Sequence, residues 1–372
     1  MNEVARRWRL ILGRYSSSNL SGNLGGDDAQ LDQVLSYLYD REYAERGHRQ
    51  QRGAGGSLDP SSLTAITWLE HTRKLFPTST FERLQTQAVE RYGLTDLLAD
   101  TSAAAALQPS PALGSALLRV RGRLDAAMEE GMRIVISRVV EDIVARVKTM
   151  FVSALSGRRD RNKRSMQPVS QNFDWRRTIH ANLAHYDMEN GRLLIDEARF
   201  NSRVRRRLPW DVILLVDQSG SMASSVLYSA VCASILAGLP GIEVRLILFD
   251  TSVVDMTAVA NDPVGVLMTA QLGGGTDIAG ALAFCETLVT TPSRTVLALI
   301  SDFEEGGSIP ALMSTVTRLR EAGVTLLGLA ALDEEAEAVY DPHVGSMLAD
   351  RGMNIAALTP EHFAEWLAEV MG

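Results

Sequence analysis

The chain has 372 residues, of which 46% are hydrophobic and 22% charged, a balance that excludes a chain dominated by disorder. That length is long for one core and short for three, so two domains are expected. A formal net charge of −8 speaks against nucleic-acid binding over the whole surface, but the charge is uneven. Residues 156–207 hold 13 Lys/Arg against 6 Asp/Glu, a net of +7 that leaves −15 elsewhere.

Residues 1–155 read as a helical domain. Trp8, Leu10, Ile11 and Leu12 open a short helix, and Leu31, Val34, Leu35 and Leu38 repeat at i, i+3, i+4, i+7. Gly47 to Ser57 reads as a loop. Ser61 or Ser62 then caps a helix carrying Leu63, Ile66, Trp68 and Leu69, which runs to Phe76, and Pro77 opens another through Tyr92-Gly93. The small-residue tract Thr101 to Pro111 reads as a connection to a pair of longer helices, the second with Met132, Val135, Val139, Ile143, Val147, Met150 and Phe151 on one face. Nothing in this half carries a chemical motif. It reads either as a support for the rest or as a docking surface.

Residues 156–207 form a basic connector. Gly157 to Arg164 is a charge run without periodicity, expected to be exposed, and Arg203-Val204-Arg205-Arg206-Arg207 leads into the next domain. Between them, Trp175 to Leu183 looks ordered, and Leu193-Leu194-Ile195 after the Asn190-Gly191 turn looks like a short strand. A basic stripe invites phosphate contacts. The acidic flanks and the lack of interleaved aromatics argue against a nucleic-acid partner.

Residues 208–372 alternate strand and helix, which predicts a mainly parallel sheet with helices on both faces, a Rossmann-like α/β domain. Strands are expected at 212–217, 244–249, 295–300, 324–329 and 354–358, with an edge strand at Val253-Val254; helices are expected at 222–237, 263–269, 277–289, 309–321 and 360–370, and partly over 334–350. The first strand, Val212-Ile213-Leu214-Leu215-Val216, is apolar throughout and stops at Asp217. Such a run fits a strand covered on both faces.

After that carboxylate come Ser219 and Ser221, completing D-x-S-x-S. Ser at a strand-to-helix junction is commonly just an N-cap. Two further stretches weigh against that reading here: Gly273-Gly274-Gly275-Thr276-Asp277, and a second buried strand ending at Ser301-Asp302 before Gly306-Gly307. Hard oxygen donors at the carboxyl ends of parallel strands suit a small hard cation such as Mg²⁺. Asp250 reads as a turn cap or a neighbour of the crevice, Asp277 as a helix cap or a support for the loop, and Glu304 and Glu305 as rim charges, either of which could swing toward an ion when no partner is bound.

With these three pieces in order, residues 208–372 resemble the von Willebrand factor A (VWA) family and its metal-ion-dependent adhesion site. The resemblance implies that Ser219, Ser221 and Thr276 give hydroxyl oxygens to Mg²⁺ (or Mn²⁺ or Ca²⁺), that Asp217 and Asp302 act largely through bound waters, and that a partner's acidic residue fills the remaining position. The block Arg176-Arg177-Thr178-Ile179-His180-Ala181-Asn182-Leu183 and the arginine-rich approach to D-x-S-x-S resemble the CoxE-like branch of bacterial VWA proteins. The helical amino-terminal half makes the layout similar to its YehP type. That resemblance implies a partner of a MoxR-type AAA+ ATPase, an adaptor or co-chaperone that captures a client protein presenting Asp or Glu.

The expected function is therefore metal-dependent protein binding and not catalysis. No histidine lies in the motif loops to act as a base for Ser219 or Ser221, and no G-x-x-x-x-G-K-[ST] loop is present for ATP. The alternatives are a metal-assisted hydrolase, since an open Mg²⁺ position activates water, and a scaffold whose ion only ties loops together. Cys232 and Cys285 are too few for a disulfide framework and fit a reducing compartment. Leu10-Ile11-Leu12 is too short for a signal-peptide core, and no stretch is expected to reach the ~20 apolar residues of a membrane span. A cytoplasmic location without a membrane partner is expected.

Overall fold

The computed structural model describes residues 3–13, 24–45, 65–92, 95–155, 159–165, 170–188, 190–203, 210–332, 338–357 and 359–371. The expected loop at 47–57, the caps Ser61 and Ser62, and Arg205 to Arg207 lie outside them. The chain divides into two compact units, one of residues 1–142, 218–227 and 267–273, the other of residues 143–217, 228–266 and 274–372.

The helices of the amino-terminal half are α1 (Glu3–Leu12), α2 (Asp27–Glu45), α3 (Ala65–Leu75), α4 (Thr78–Glu90), α5 (Asp96–Ala99), α6 (Thr101–Ala106), α7 (Pro111–Val120) and α8 (Ala126–Leu155). Trp68 is buried, and its indole N–H donates to the Val34 carbonyl at 3.1 Å; Phe81, Leu97, Leu98, Leu117, Met132 and Val139 are buried as well. Each such side chain withdrawn from water contributes about 1.5–3 kcal/mol. The backbone of α8 comes so close to α5 that a Cβ at Gly131 would lie 1.9 Å from the Leu98 carbonyl oxygen. The tract expected to be a mere connection is instead helical over Thr101–Ala106. Asp100 caps it, accepting from the amides of Ser102 and Ala103 at 2.8 and 3.4 Å, and four successive alanines favour helix.

The connector is also more structured than its charge suggests. β1 (Arg159–Ser165) pairs antiparallel with β4 (Phe200–Arg203), so the run expected to be an exposed connector is a strand. Its irregular register between Asp160 and Arg164 explains the lack of a period-two signal. Between these strands lie α9 (Trp175–Asn182) and a hairpin of β2 (Tyr186–Asp187) and β3 (Arg192–Leu193), one residue earlier than the strand expected at 193–195.

The remaining elements are β5 (Trp210–Asp217), α10 (Ala223–Ala237), β6 (Ile242–Phe249), β7 (Val253–Asp255), α11 (Pro263–Thr269), α12 (Ile278–Leu288), β8 (Thr295–Ser301), α13 (Ile309–Ala322), β9 (Thr325–Leu332), β10 (Ala338–Val339), α14 (Pro342–Asp350), β11 (Asn354–Ala356) and α15 (Pro360–Met371). They build a sheet in the order β10-β9-β8-β5-β6-β7, with β11 also on β9. β5, β6, β8, β9 and β11 run parallel; the edge strands β7 and β10 are antiparallel. Ile213 and Leu215 of β5 pack into a core with residues of α12 and α13, while Val212, Leu214 and Val216 on its other face are equally buried. This is the mainly parallel α/β architecture expected.

One expectation about the membrane is corrected. Residues 220–237, which include α10, form an apolar segment long enough to cross a bilayer, although it is mostly buried. Its serines and glycine hid this from a search for unbroken apolar residues.

Candidate functional site

The register of the sheet brings two of the singled-out carboxylates to one edge. Val216 of β5 lies opposite Ile300 of β8, so Asp217 falls beside Ser301, and Asp302 is one residue beyond. These are the carboxyl ends of adjacent parallel strands, where the crevices of open α/β sheets lie. Asp217 is completely buried, and Ser301 Oγ donates to its Oδ2 at 2.8 Å. The same Oγ accepts from the Phe303 amide at 3.0 Å. Ser301 was not singled out in the sequence, where it reads as one more residue of an apolar strand. Only its register opposite Asp217 gives it a role.

Asp302 is buried, its Oδ1 accepts from the Glu304 amide at 3.2 Å, and its carbonyl accepts from the Asp341 amide at 2.8 Å. Phe303 directly after it has a left-handed backbone, φ 59°, which costs a non-glycine residue about 1–2 kcal/mol. Its buried ring offsets this by packing edge-on against Tyr340, with centroids 5.7 Å apart.

Thr276 is also buried, and the stretch that follows Asp302 holds its backbone. The Gly306 amide donates to the Thr276 carbonyl at 2.8 Å. Glu305 Oε2 accepts from the first two amides of α12, Ile278 and Ala279, at 3.0 and 3.2 Å, while Oε1 accepts from Gly307 at 2.7 Å. Burial pushes the Glu305 carboxyl above its ordinary range, and the backbone donors pull against that shift. A side chain at 306 does not fit, because its Cβ would stand 2.8 Å from the Thr276 carbonyl oxygen. Glu305 is therefore a clasp and not the rim charge expected. A cap supplied from 27 residues away leaves no local signature.

The other two acids cap locally, and the Asp250 carbonyl also accepts from the Asp277 amide at 2.9 Å, which ties that turn to the loop after Thr276. Asp277 caps α12 through the Gly280 amide at 2.9 Å, and Asp250 closes its own turn through the Ser252 amide at 2.6 Å and hydroxyl at 2.9 Å. Ser219 and Ser221 belong to the other compact unit; their Oγ atoms lie 3.3 Å apart. Within that unit the Gln218 carbonyl accepts from Gly273 at 3.0 Å and its side chain from the Gln271 amide at 3.3 Å.

Among the described residues no group of three or more His, Cys, Asp or Glu could hold a metal. An ion here would have to use hydroxyl donors. Ser219 and Ser221 fit that requirement, because neighbouring ligands of an octahedral Mg²⁺ with ~2.0–2.1 Å bonds stand roughly 3 Å apart. A buried, already oriented Asp217 fits a supporting carboxylate.

The chain belongs to the VWA domain containing CoxE-like proteins, whose family model matches residues 143–367. It is 43% identical over 365 residues to the uncharacterized protein YehP of Escherichia coli (strain K12), with 98% of this chain and 96% of that protein covered. Among solved structures it resembles the von Willebrand factor type A protein from Catenulispora acidiphila, with a TM-score of 0.36 and 18% identity, over 46% of this chain and 44% of that one. It also resembles the Deinococcus radiodurans RO (RSR) protein, with a TM-score of 0.32 and 14% identity, over 95% and 66% of the two chains.

Proposed function

We propose that this protein is a metal-dependent protein-binding adaptor and not an enzyme, working in the cytoplasm with a MoxR-type AAA+ ATPase on a client that presents Asp or Glu. The observation that carries this reading is the fully buried Asp217, oriented by Ser301 at the end of the central strand and followed at once by the paired hydroxyls of Ser219 and Ser221. Burying a carboxylate is costly unless it is compensated. Placing one directly before two hydroxyl donors is readily explained by a divalent cation. Ser219, Ser221 and Thr276 would hold Mg²⁺, or Mn²⁺ or Ca²⁺ in its place, with Asp217 and Asp302 supporting it through waters. When bound, the ion supplies a Lewis-acidic position that accepts a partner carboxylate, since neutral hydroxyls leave its charge under-compensated.

Two measurements test this. Calorimetric titration of the full chain with Mg²⁺ should give one site, with affinity lowered at least ~10-fold in Ser219→Ala and Thr276→Ala, because each variant removes one direct ligand. Co-purification with the ATPase should be lost in EDTA and restored by Mg²⁺. Association that ignores EDTA would discard the ion as the contact. Absence of Mg²⁺ binding by the wild-type chain would discard the site.

A further inference from the structure

Thr276 and Asp302 stand on different loops, one before α12 and the other after β8, and a residue outside the candidate ion set ties those loops together. A threonine hydroxyl is one torsion away from its backbone, and β-branching leaves that torsion few choices. The place of the Thr276 hydroxyl is therefore set by the place of its main chain.

The peptide unit joining Thr276 to Asp277 is held at both ends. Its carbonyl accepts from the Gly306 amide at 2.8 Å, and its N–H donates to the Asp250 carbonyl at 2.9 Å. Because such a unit is planar and rigid, bonds at its two ends fix its tilt. The next two amides, Ile278 and Ala279, donate to Glu305 Oε2 at 3.0 and 3.2 Å. Glu305 Oε1 accepts from the Gly307 amide at 2.7 Å, which folds the turn that presents the intervening Gly306 amide to Thr276. One carboxylate thus supports the bond to the Thr276 carbonyl and supplies the two bonds beyond it. All of these residues lie within one compact unit.

A plain helix cap does not account for this arrangement. Caps ordinarily come from the residue just before the helix, and α12 has one in Asp277, which accepts from the Gly280 amide at 2.9 Å. Glu305 comes from 27 residues beyond Ile278 and directly follows the Asp302 loop. It is half-buried, so its carboxylate gives up part of its hydration to reach these amides. What it adds over a local cap is a fixed separation between the loop that carries Thr276 and the loop that carries Asp302. We infer that Glu305 is a positioning residue of the ion site, raising the affinity for Mg²⁺ by holding the Thr276 loop in register with Asp302, through alignment and not through its charge. The inference rests on the ion reading proposed above. Mg²⁺ demands near-ideal octahedral geometry, so its affinity is sensitive to small displacements of a ligand loop. Coupling between two equilibria is reciprocal, and a bound ion should in turn tighten the clasp.

The test is calorimetric titration of the full chain with Mg²⁺, in wild type and three variants, well below their melting temperatures so that lost helix stability alone does not move the result. Glu305→Ala removes the acceptor. Glu305→Asp keeps the charge on a shorter arm, and Glu305→Gln loses the charge but keeps an oxygen for the Ile278 and Ala279 amides. Alignment predicts affinity lowered about 10–100-fold in Glu305→Ala and Glu305→Asp, the usual effect of losing a group that orients a metal ligand, and lowered less in Glu305→Gln. An effect of charge alone predicts the reverse, with Glu305→Asp like wild type and Glu305→Gln like Glu305→Ala. Hydrogen exchange gives a second readout. The Ile278 and Ala279 amides should exchange faster in metal-free Glu305→Ala than in metal-free wild type, and Mg²⁺ should slow them in wild type.

The inference is overturned if Glu305→Ala binds Mg²⁺ as tightly as wild type, if Glu305→Asp retains full affinity while Glu305→Gln loses it, or if bound Mg²⁺ leaves exchange at Ile278 and Ala279 unchanged. In each of those outcomes the wild type still binds the ion, and the ion reading survives. Absence of Mg²⁺ binding by the wild-type chain overturns both. Should Glu305→Ala not fold, Glu305→Asp against Glu305→Gln decides between alignment and charge.

Discussion

Ser301 shows how much can depend on one hydroxyl. It donates to Asp217 and accepts from Phe303, so it orients the carboxylate and holds the start of the left-handed step after Asp302. Ser301→Ala should cost about 1–3 kcal/mol, the usual price of leaving buried polar groups short of a partner. Thermal unfolding should show a fall of roughly 2–4 °C for each kcal/mol lost. An unchanged midpoint would mean that other bonds to Asp217 compensate fully. The two thiols make a different prediction. Cys232 and Cys285 are buried thiols outside any disulfide, and burial, with Asp255 adding to it, pushes the Cys285 thiol from 9.0 up to about 12. With the folded value above the unfolded one, the stabilising contribution is complete below pH 9.0 and is lost as pH rises towards about 12. Chemical denaturation across that window should show wild type losing more stability than Cys285→Ala. Equal losses would contradict the assignment.

At the scale of the elements, the prediction concerns the clasp on α12. Glu305→Ala removes the acceptor for the Ile278 and Ala279 amides, and losing a helix cap costs about 1–2 kcal/mol. Asp277 remains to cap Gly280, so the loss should appear in the denaturation midpoint without abolishing the fold. A midpoint equal to wild type would show that water replaces the carboxylate. What could be read from the sequence was what local order encodes. The apolar run of β5, α11 at 263–269, and α13 stopped by Gly323 at φ 96° all announce themselves within a few residues. What could not be read depends on residues far apart in the chain. β1 finds β4 some forty residues on, Glu305 reaches back to α12, and Ser301 matters only through its neighbour strand. The candidate site was legible as a set of residue types, because D-x-S-x-S and the glycine-threonine loop are local patterns. The bonds that position those residues were not.

Across the whole molecule, the division between the two compact units falls inside α8, after Asp142, and the family match begins at residue 143. The helix runs on through Glu141-Asp142 without a glycine or proline, which is why composition alone does not show the division. The hidden apolar stretch at 220–237 has a consequence for synthesis on the ribosome. A nascent chain that has reached Ala237 has made this greasy span but not yet β6 or β8, the strands that flank β5 in the finished sheet. Prematurely terminated products ending near that point should therefore leave this apolar surface uncovered and bind a hydrophobic dye, while the rest of the chain buries most of the same eighteen residues.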